Sequence, residues 1–386
     1  MVKEQLSSEE LIHLIRAVFP KFPDDHRLGI LVDIPRNPNT DNPNWTQRRA
    51  IAMDWFQALK DHAADMGFER IDLIAYADVG SNNADLPPEA YWITDAMPSD
   101  ATELKSVGNP ISFEEVFRTV QLFLAPTEYS TTAPLKNAAK THGFRAATMP
   151  GFVPEMIPAL RIDYNEVARR VTIVKEKVDA ASWAETIFIV DHKDECRMFF
   201  DLRFRSGHLS SGRFPDKGTA GNLPSGETYI VPYEGERDET SKTAGTLPVQ
   251  LGTEVVTFTV MGNRAIEVKG DGPAAIDEKN HLTREWAYGN MAELGFGVLG
   301  DFGLNPIGEM LLDEKLGFHV AFGRSDHFGG AVGPNDFSSP SEVIHLDRVY
   351  IPAVQPRVQI QSIVFGYETN QTETIMENGK YLIFDR

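Results

Sequence analysis

The run Leu28-Gly29-Ile30-Leu31-Val32-Asp33-Ile34, the amphipathic segment from Thr46 to Met66, Gly67, and then Ile71-Asp72-Leu73-Ile74-Ala75-Tyr76 decide how the first half of the chain folds. Two short apolar runs flank a segment of helical length, and Gly67 stands where a helix would end in the left-handed conformation. This is a strand, helix, strand unit. Upstream, Ser7-x-x-Glu10 is a capping box ahead of the stripe Leu11, Ile12, Leu14, Ile15, Val18, which predicts a short first helix. Downstream the pattern resumes with a strand over Val120 to Leu124, a helix from Ala133 to Thr141 closed by Gly143, and a strand over Phe144 to Met149. Such alternation predicts a parallel sheet covered by helices.

The texture changes after the proline-bearing stretch Val153 to Ile162 and a helix predicted from Asn165 to Ala181. Beyond it strand signals dominate, over Thr186 to His192, Arg197 to Phe204, Glu227 to Pro232, Glu254 to Met261, His319 to Phe322, Val343 to Val349 and Val358 to Ile363. Gly235 to Thr246, rich in charge, Thr and Gly, reads as an exposed loop. The expected fold class is α/β plus α+β. An N-terminal parallel-sheet α/β domain over residues 1–160 is followed by a strand-rich, largely antiparallel sheet or barrel over residues 161–386.

With 386 residues and 42% hydrophobic content, the chain exceeds what one core usually supports, so two cores are expected. A formal net charge of -19 argues against nucleic acid and against an anionic membrane, both of which would repel it. No apolar run approaches the roughly 20 residues needed to cross a bilayer. A lone cysteine, Cys196, and an N-terminus without a signal-peptide core point to the cytoplasm. Any metal site must then use His, Asp and Glu, which suits zinc, manganese, cobalt or iron.

The sharpest local signal is Ile344-His345-Leu346-Asp347. On a strand His345 and Asp347 project from one face, while Ile344, Leu346 and Arg348 take the other. Water on a half-exposed strand would also explain such a pair. His319, in Gly317-Phe318-His319-Val320-Ala321-Phe322-Gly323, needs a partner for its ring, either a metal or a backbone carbonyl. Glu293, in Met291-Ala292-Glu293-Leu294-Gly295-Phe296-Gly297, is a carboxylate among apolar and glycine positions, where burial without a cation would cost several kcal/mol or force protonation. Glu227 follows the turn Pro224-Ser225-Gly226, which would either aim it inward or leave it in solvent at the mouth of a strand.

In order, Asn222-Leu223-Pro224-Ser225-Gly226-Glu227, Ala292-Glu293-Leu294-Gly295-Phe296-Gly297, Asp313-Glu314-Lys315 before His319, and His345-Leu346-Asp347 resemble the aminopeptidase T family of leucyl-aminopeptidase-like metallopeptidases. The match spans residues 221 to 350; more distantly, it extends to the 2,5-dihydroxypyridine dioxygenases. The resemblance implies two divalent metals held by Glu227, Glu293, His319, His345 and Asp347; the leading expectation is a strand-rich C-terminal domain that holds one or two divalent metals, with the α/β domain closing part of the cleft. The resemblance also implies homodimers. Such metals would activate water against an amide, with a nearby carboxylate such as Glu293 taking the proton. Where the family places a tyrosine seven residues after His319, this chain has Asp326, and the adjacent His327 is the candidate donor to a developing oxyanion.

Three functions follow as expectations. The first is a metal-dependent hydrolase of amide or peptide bonds acting on a small molecule or short peptide. The second is a mononuclear Fe(II) ring-cleaving dioxygenase of a hydroxylated N-heterocycle, for which His-x-Asp and one further ligand suffice. The third is a metal-bound homologue without catalysis, with closed coordination. Arg203, Arg205, His208 and Arg213 form a weaker candidate cluster for a substrate carboxylate or a solvated surface. His142, just before Gly143, reads as a cap favoured by the helix dipole.

Overall fold

The computed structural model describes residues 5–384, which divide into two compact units: residues up to Ala168 together with Ser210–Ser225, and Arg169–Leu209 together with Gly226 onward.

The first unit is built on a seven-stranded sheet. From one edge its strands are Thr219–Asn222, Arg145–Thr148, Leu122–Ala125, Arg27–Ile34, Arg70–Ala77, Glu89–Ile93 and Gly108–Ser112. The first five pair in parallel, as the alternating pattern predicts, and the last two are antiparallel. Arg27–Ile34 lies centrally, and Leu28, Ile30, Leu31, Val32 and Ile34 are all fully buried, which explains its continuous apolar reading. The helix after it begins earlier than expected, at Pro43, because Asn42 caps it by accepting from the backbone N–H of Trp45 at 2.8 Å. The α-helix ends at Lys60, and a short 3-10 turn, Ala64–Met66, runs on to Gly67, whose φ of 75° is left-handed. Ser7 and Glu10 make the reciprocal capping box of the helix Ser8–Val18. Gly143, at φ 78°, closes the helix Thr132–His142, and His142 Nε2 lies 3.5 Å from Glu114.

The second unit contains two antiparallel sheets rather than a closed barrel. The larger has eight strands, in the order Arg264–Lys269, Glu254–Met261, Ala244–Leu251, Asp194–Asp201, Ala181–Val190, Val358–Tyr367, Thr372–Glu377 and Lys380–Tyr381. The segment expected as a loop over 235–246 ends early, because Ala244 already pairs with Met261 and Phe199. The smaller sheet has five strands, ordered His345–Val349, Phe318–Gly323, Met291–Gly297, Glu227–Ile230 and His208–Ser210. One face of the smaller sheet is hydrophobic: Leu294, Phe296, Phe318, Val320 and Phe322 are buried. They meet the larger sheet through ring contacts of Phe296 with Phe365 at 5.5 Å and Phe322 with Phe258 at 4.9 Å. Burying such aromatic surface supplies most of the free energy that holds two sheets together. No helix among the described residues is long and apolar enough to cross a membrane.

Candidate metal centre

Strand register puts the five sequence candidates on the other face of the smaller sheet. Glu227 pairs with Gly297, Gly295 with His319, Glu293 with Ala321, Ala321 with Asp347, and Gly323 with His345. Directly paired residues share a face, so Glu227, Glu293, His319, His345 and Asp347 all project the same way. Each donor stands beside a residue with little or no side chain. At Gly295 the need is measurable, since a Cβ there would fall 1.9 Å from Nε2 of His319. A bulge between Met291 and Glu293 sets Met291 opposite Phe322, on the hydrophobic face, while Glu293 keeps to the polar one.

The donors converge on Glu293. Its Oε1 lies 3.3 Å from Nε2 of His319, and its Oε2 lies 3.1 Å from Nε2 of His345. His319 Nε2 is also 3.6 Å from Glu227 Oε2, and His345 Nε2 is 3.7 Å from Asp347 Oδ1. Both imidazoles turn Nδ1 to a backbone carbonyl, His319 to Gly317 at 3.3 Å and His345 to Arg324 at 2.8 Å. A carbonyl only accepts, so Nδ1 carries the proton in each ring and Nε2 is the nitrogen presented to the carboxylates. This is the arrangement by which a backbone carbonyl fixes the tautomer of a metal-binding histidine.

Two neighbours complete the cluster. Lys315, 1% exposed in its side chain, places Nζ 2.6 Å from Glu227 Oε1 and also bonds Glu314 Oε1. Three overlapping groups bring ligand atoms within 4.8 Å of one another: Glu227, Glu293 and His319; Glu293, His345 and Asp347; and Glu314, His319 and Asp347. Glu314 and Lys315 belong to the Asp313-Glu314-Lys315 motif, where the resemblance assigns neither a role. The available signal was the one used for Glu293, charge set among apolar neighbours, here Leu311, Leu312 and Leu316.

The residues fit a cation on charge alone. Four carboxylates, Glu227, Glu293, Glu314 and Asp347, share the cluster with one lysine, which pairs with Glu227 and Glu314, and Glu227 Oε2 is buried with no hydrogen-bond partner. Burial pushes the Glu227 carboxyl up to about 7 against the pull of Lys315, and burial together with Glu314 pushes Asp347 up to about 6. Burial works against a protonated imidazole, yet Glu293 and Glu227 outweigh it at His319, which is raised to about 10. Glu293 and Asp347 likewise raise His345 to about 9. The cluster therefore demands positive charge, from protons at Nε2 or from a divalent ion that carboxylate and imidazole donors suit.

His327 lies on the turn Asp326–Phe328, with its ring centroid 5.3 Å from that of His345. Burial lowers it to about 4, which leaves the ring neutral at pH 7. Asp326 is occupied by Arg324, 2.5 Å from its Nε. The weaker cationic cluster is engaged in structural contacts. Arg203 pairs with Asp201 and Glu239, and Arg213 donates to the carbonyl of Ala17. Arg205 bonds Glu234 and the carbonyl of Gly329, and His208 Nε2 lies 3.0 Å from the carbonyl of Phe328. Arg205 and His208 thereby fasten the loop that carries His327.

No protein-family model and no curated protein matches the chain. Its fold is shared with solved structures over essentially its whole length. The 2,5-dihydroxypyridine dioxygenase from Pseudomonas putida KT2440 superposes with a TM-score of 0.59 at 13% identity, over 98% of this chain and 98% of that one. Wild-type AmpT from Thermus thermophilus superposes with a TM-score of 0.56 at 12% identity, over 97% of this chain and 98% of that one. The resemblance read from the motifs thus has a counterpart in fold to both proteins.

Proposed function

We propose that the chain is a metal-dependent hydrolase of amide or peptide bonds, with Glu227, Glu293, Glu314, His319, His345 and Asp347 holding one or two divalent ions. The observation that carries this reading is the position of Glu293, whose two carboxylate oxygens face the Nε2 atoms of two different histidines. One carboxylate shared between two donor sets suits a pair of ions better than one. A bound divalent ion supplies Lewis acidity and a water acidified toward neutrality. The chain's own residues do the rest. Lys315 fixes Glu227 and Glu314, the carbonyls of Gly317 and Arg324 hold both imidazoles in one tautomer, and His327, neutral and beside His345, presents a hydrogen-bonding nitrogen at the rim. No serine or cysteine nucleophile is needed.

A second reading, an Fe(II) dioxygenase of a hydroxylated N-heterocycle, is favoured by the fold shared with the dihydroxypyridine dioxygenase and by the His345, Asp347 and His319 donors. It leaves Glu227, Glu293 and Glu314 without a task as ligands. Metal content decides between the two. Protein purified without added metal and then reconstituted with zinc, manganese, cobalt or iron is expected to bind about two ions per chain and to cleave aminoacyl anilides. One iron per chain, with oxygen consumed on a hydroxypyridine, would select the second reading, and no metal at all would end both.

A further inference from the structure

The polar face of the five-stranded sheet carries one more functional group. Tyr229 lies two residues beyond Glu227 on the strand Glu227–Ile230, and it pairs with Gly295, which in turn pairs with His319. Its side chain therefore shares the face of Glu227, Glu293 and His319. The ring is held from two sides. The imidazole of His208 stacks on it with centroids 5.3 Å apart and planes at 22°, and Phe328 lies 4.7 Å away. Phe328 also stands edge-on to His345, at 5.4 Å.

The hydroxyl is what distinguishes this tyrosine. Every other tyrosine of the second unit donates to an acceptor: Tyr233 to the carbonyl of Glu239, Tyr288 to Glu278, Tyr350 to the carbonyl of Pro248, Tyr367 to Glu373 and Tyr381 to the carbonyl of Gly297. The Tyr229 hydroxyl has no hydrogen-bond partner among the described residues. Tyr229 is half-buried, its ring is fixed from two sides, and its hydroxyl, bonded to nothing in the chain, is free to donate to a group that enters the site. His327, by contrast, sits on the turn Asp326–Phe328 with 34% of its side chain exposed, ahead of Gly329 and Gly330.

Resting on the hydrolase reading, we propose that Tyr229 is a catalytic residue whose Oη–H donates to the carbonyl oxygen of the scissile amide as that oxygen becomes an oxyanion. The water oxygen forms a bond to the carbonyl carbon, its proton passes to a carboxylate of the cluster, and the carbonyl π pair moves onto the oxygen that Tyr229 faces. When that pair returns, the C–N bond breaks and the amine leaves with the proton. The phenol keeps its own proton throughout.

Tyr229→Phe removes the hydroxyl and keeps the ring between His208 and Phe328. Metal content and thermal unfolding are expected to match wild type. Binding of methylphosphonate, a tetrahedral oxyanion, to the metal-loaded protein should weaken roughly 10-fold by calorimetry, and kcat on an aminoacyl anilide should fall about 100-fold or more at nearly unchanged KM. Equal phosphonate affinity in wild type and variant would overturn the proposal whether or not amides are cleaved, as would failure of loaded wild type to bind the phosphonate. Weakened binding in the variant, alongside a wild type that cleaves no amide, would remove the hydrolase reading alone and leave Tyr229 as the oxyanion donor.

Discussion

Lys315 Nζ lies 2.6 Å from Oε1 of Glu227, with both side chains buried. The lysine is a buried counter-charge within a carboxylate-rich cluster. Replacing it with methionine removes the ammonium that hydrogen-bonds Glu227 and Glu314 and leaves Glu227 only His319, at a cost on the order of 3–5 kcal/mol in metal-free protein. Divalent metal should recover much of this loss. Thermal unfolding with and without a chelator checks it, and the gap between the two midpoints is expected to be wider in Lys315→Met than in wild type.

Glu293→Gln keeps the shape of the side chain and removes the charge shared by His319 and His345. Metal affinity is expected to fall beyond the roughly 100-fold typical of outer contacts, and one ion per chain should be lost first. Equilibrium dialysis with elemental analysis reads this directly.

Gly295→Ala would drive a methyl into the His319 ring. Overpacking of this kind costs about 1–3 kcal/mol, and the ring must leave its place beside Glu293. The expected variant folds, melts earlier and binds less metal; unchanged metal content would show that His319 is not a ligand.

The stability of the first unit is expected to depend on pH through Asp33. Its buried carboxyl accepts from the backbone N–H groups of Glu128 at 2.8 Å and Tyr129 at 3.0 Å and from Trp45 Nε1 at 3.1 Å, yet burial wins and raises it to about 6. Between the unfolded value near 3.8 and the folded value, the native state binds more protons than the unfolded chain. Stability from this group is therefore greatest below about pH 4 and falls as pH rises to about 6, by on the order of 3 kcal/mol. Asp33→Asn sets an amide against a backbone donor, so it should destabilise by about 1–3 kcal/mol in acid and lose this slope. Denaturant titrations of both proteins across that range supply the difference curve.

Arg205→Ala should loosen the segment 325–332. Glu234 would still accept from Asn290 Nδ2, Ser325 Oγ and the backbone N–H of Ala331, but Gly329 would lose its tether. Faster amide exchange confined to that loop is the expected result, with a lower kcat if His327 and Phe328 border the substrate.

Period and spacing made much of this legible. The parity of His345 and Asp347, the strand Arg27–Ile34 and the capping box at Ser7 follow from rules that act within a few residues. The strand Met291–Gly297 was harder to see, because its two glycines lower strand propensity, and their purpose is visible only from the partner strand: Gly295 makes room for His319. Thr219–Asn222 shows the other limit. Thr-Ala-Gly-Asn has no apolar alternation, and its parallel partner lies at Arg145–Thr148, a pairing that no local window contains. Tyr229 reads as an ordinary strand aromatic until its neighbours' hydrogen bonds are counted.

Of the six donor residues, Glu227, Glu293, His319, His345 and Asp347 hang from hydrogen-bonded strands, and Glu314 alone comes from a short helical turn. Little chain entropy would remain to be lost if an ion entered such a frame, so its affinity would not be taxed by ordering. The same stiffness makes the spacing of the strands a gauge for ionic radius. On the proposed metal-site reading, cations that demand other distances would have to strain the sheet, and discrimination among metals would become a mechanical property of the backbone.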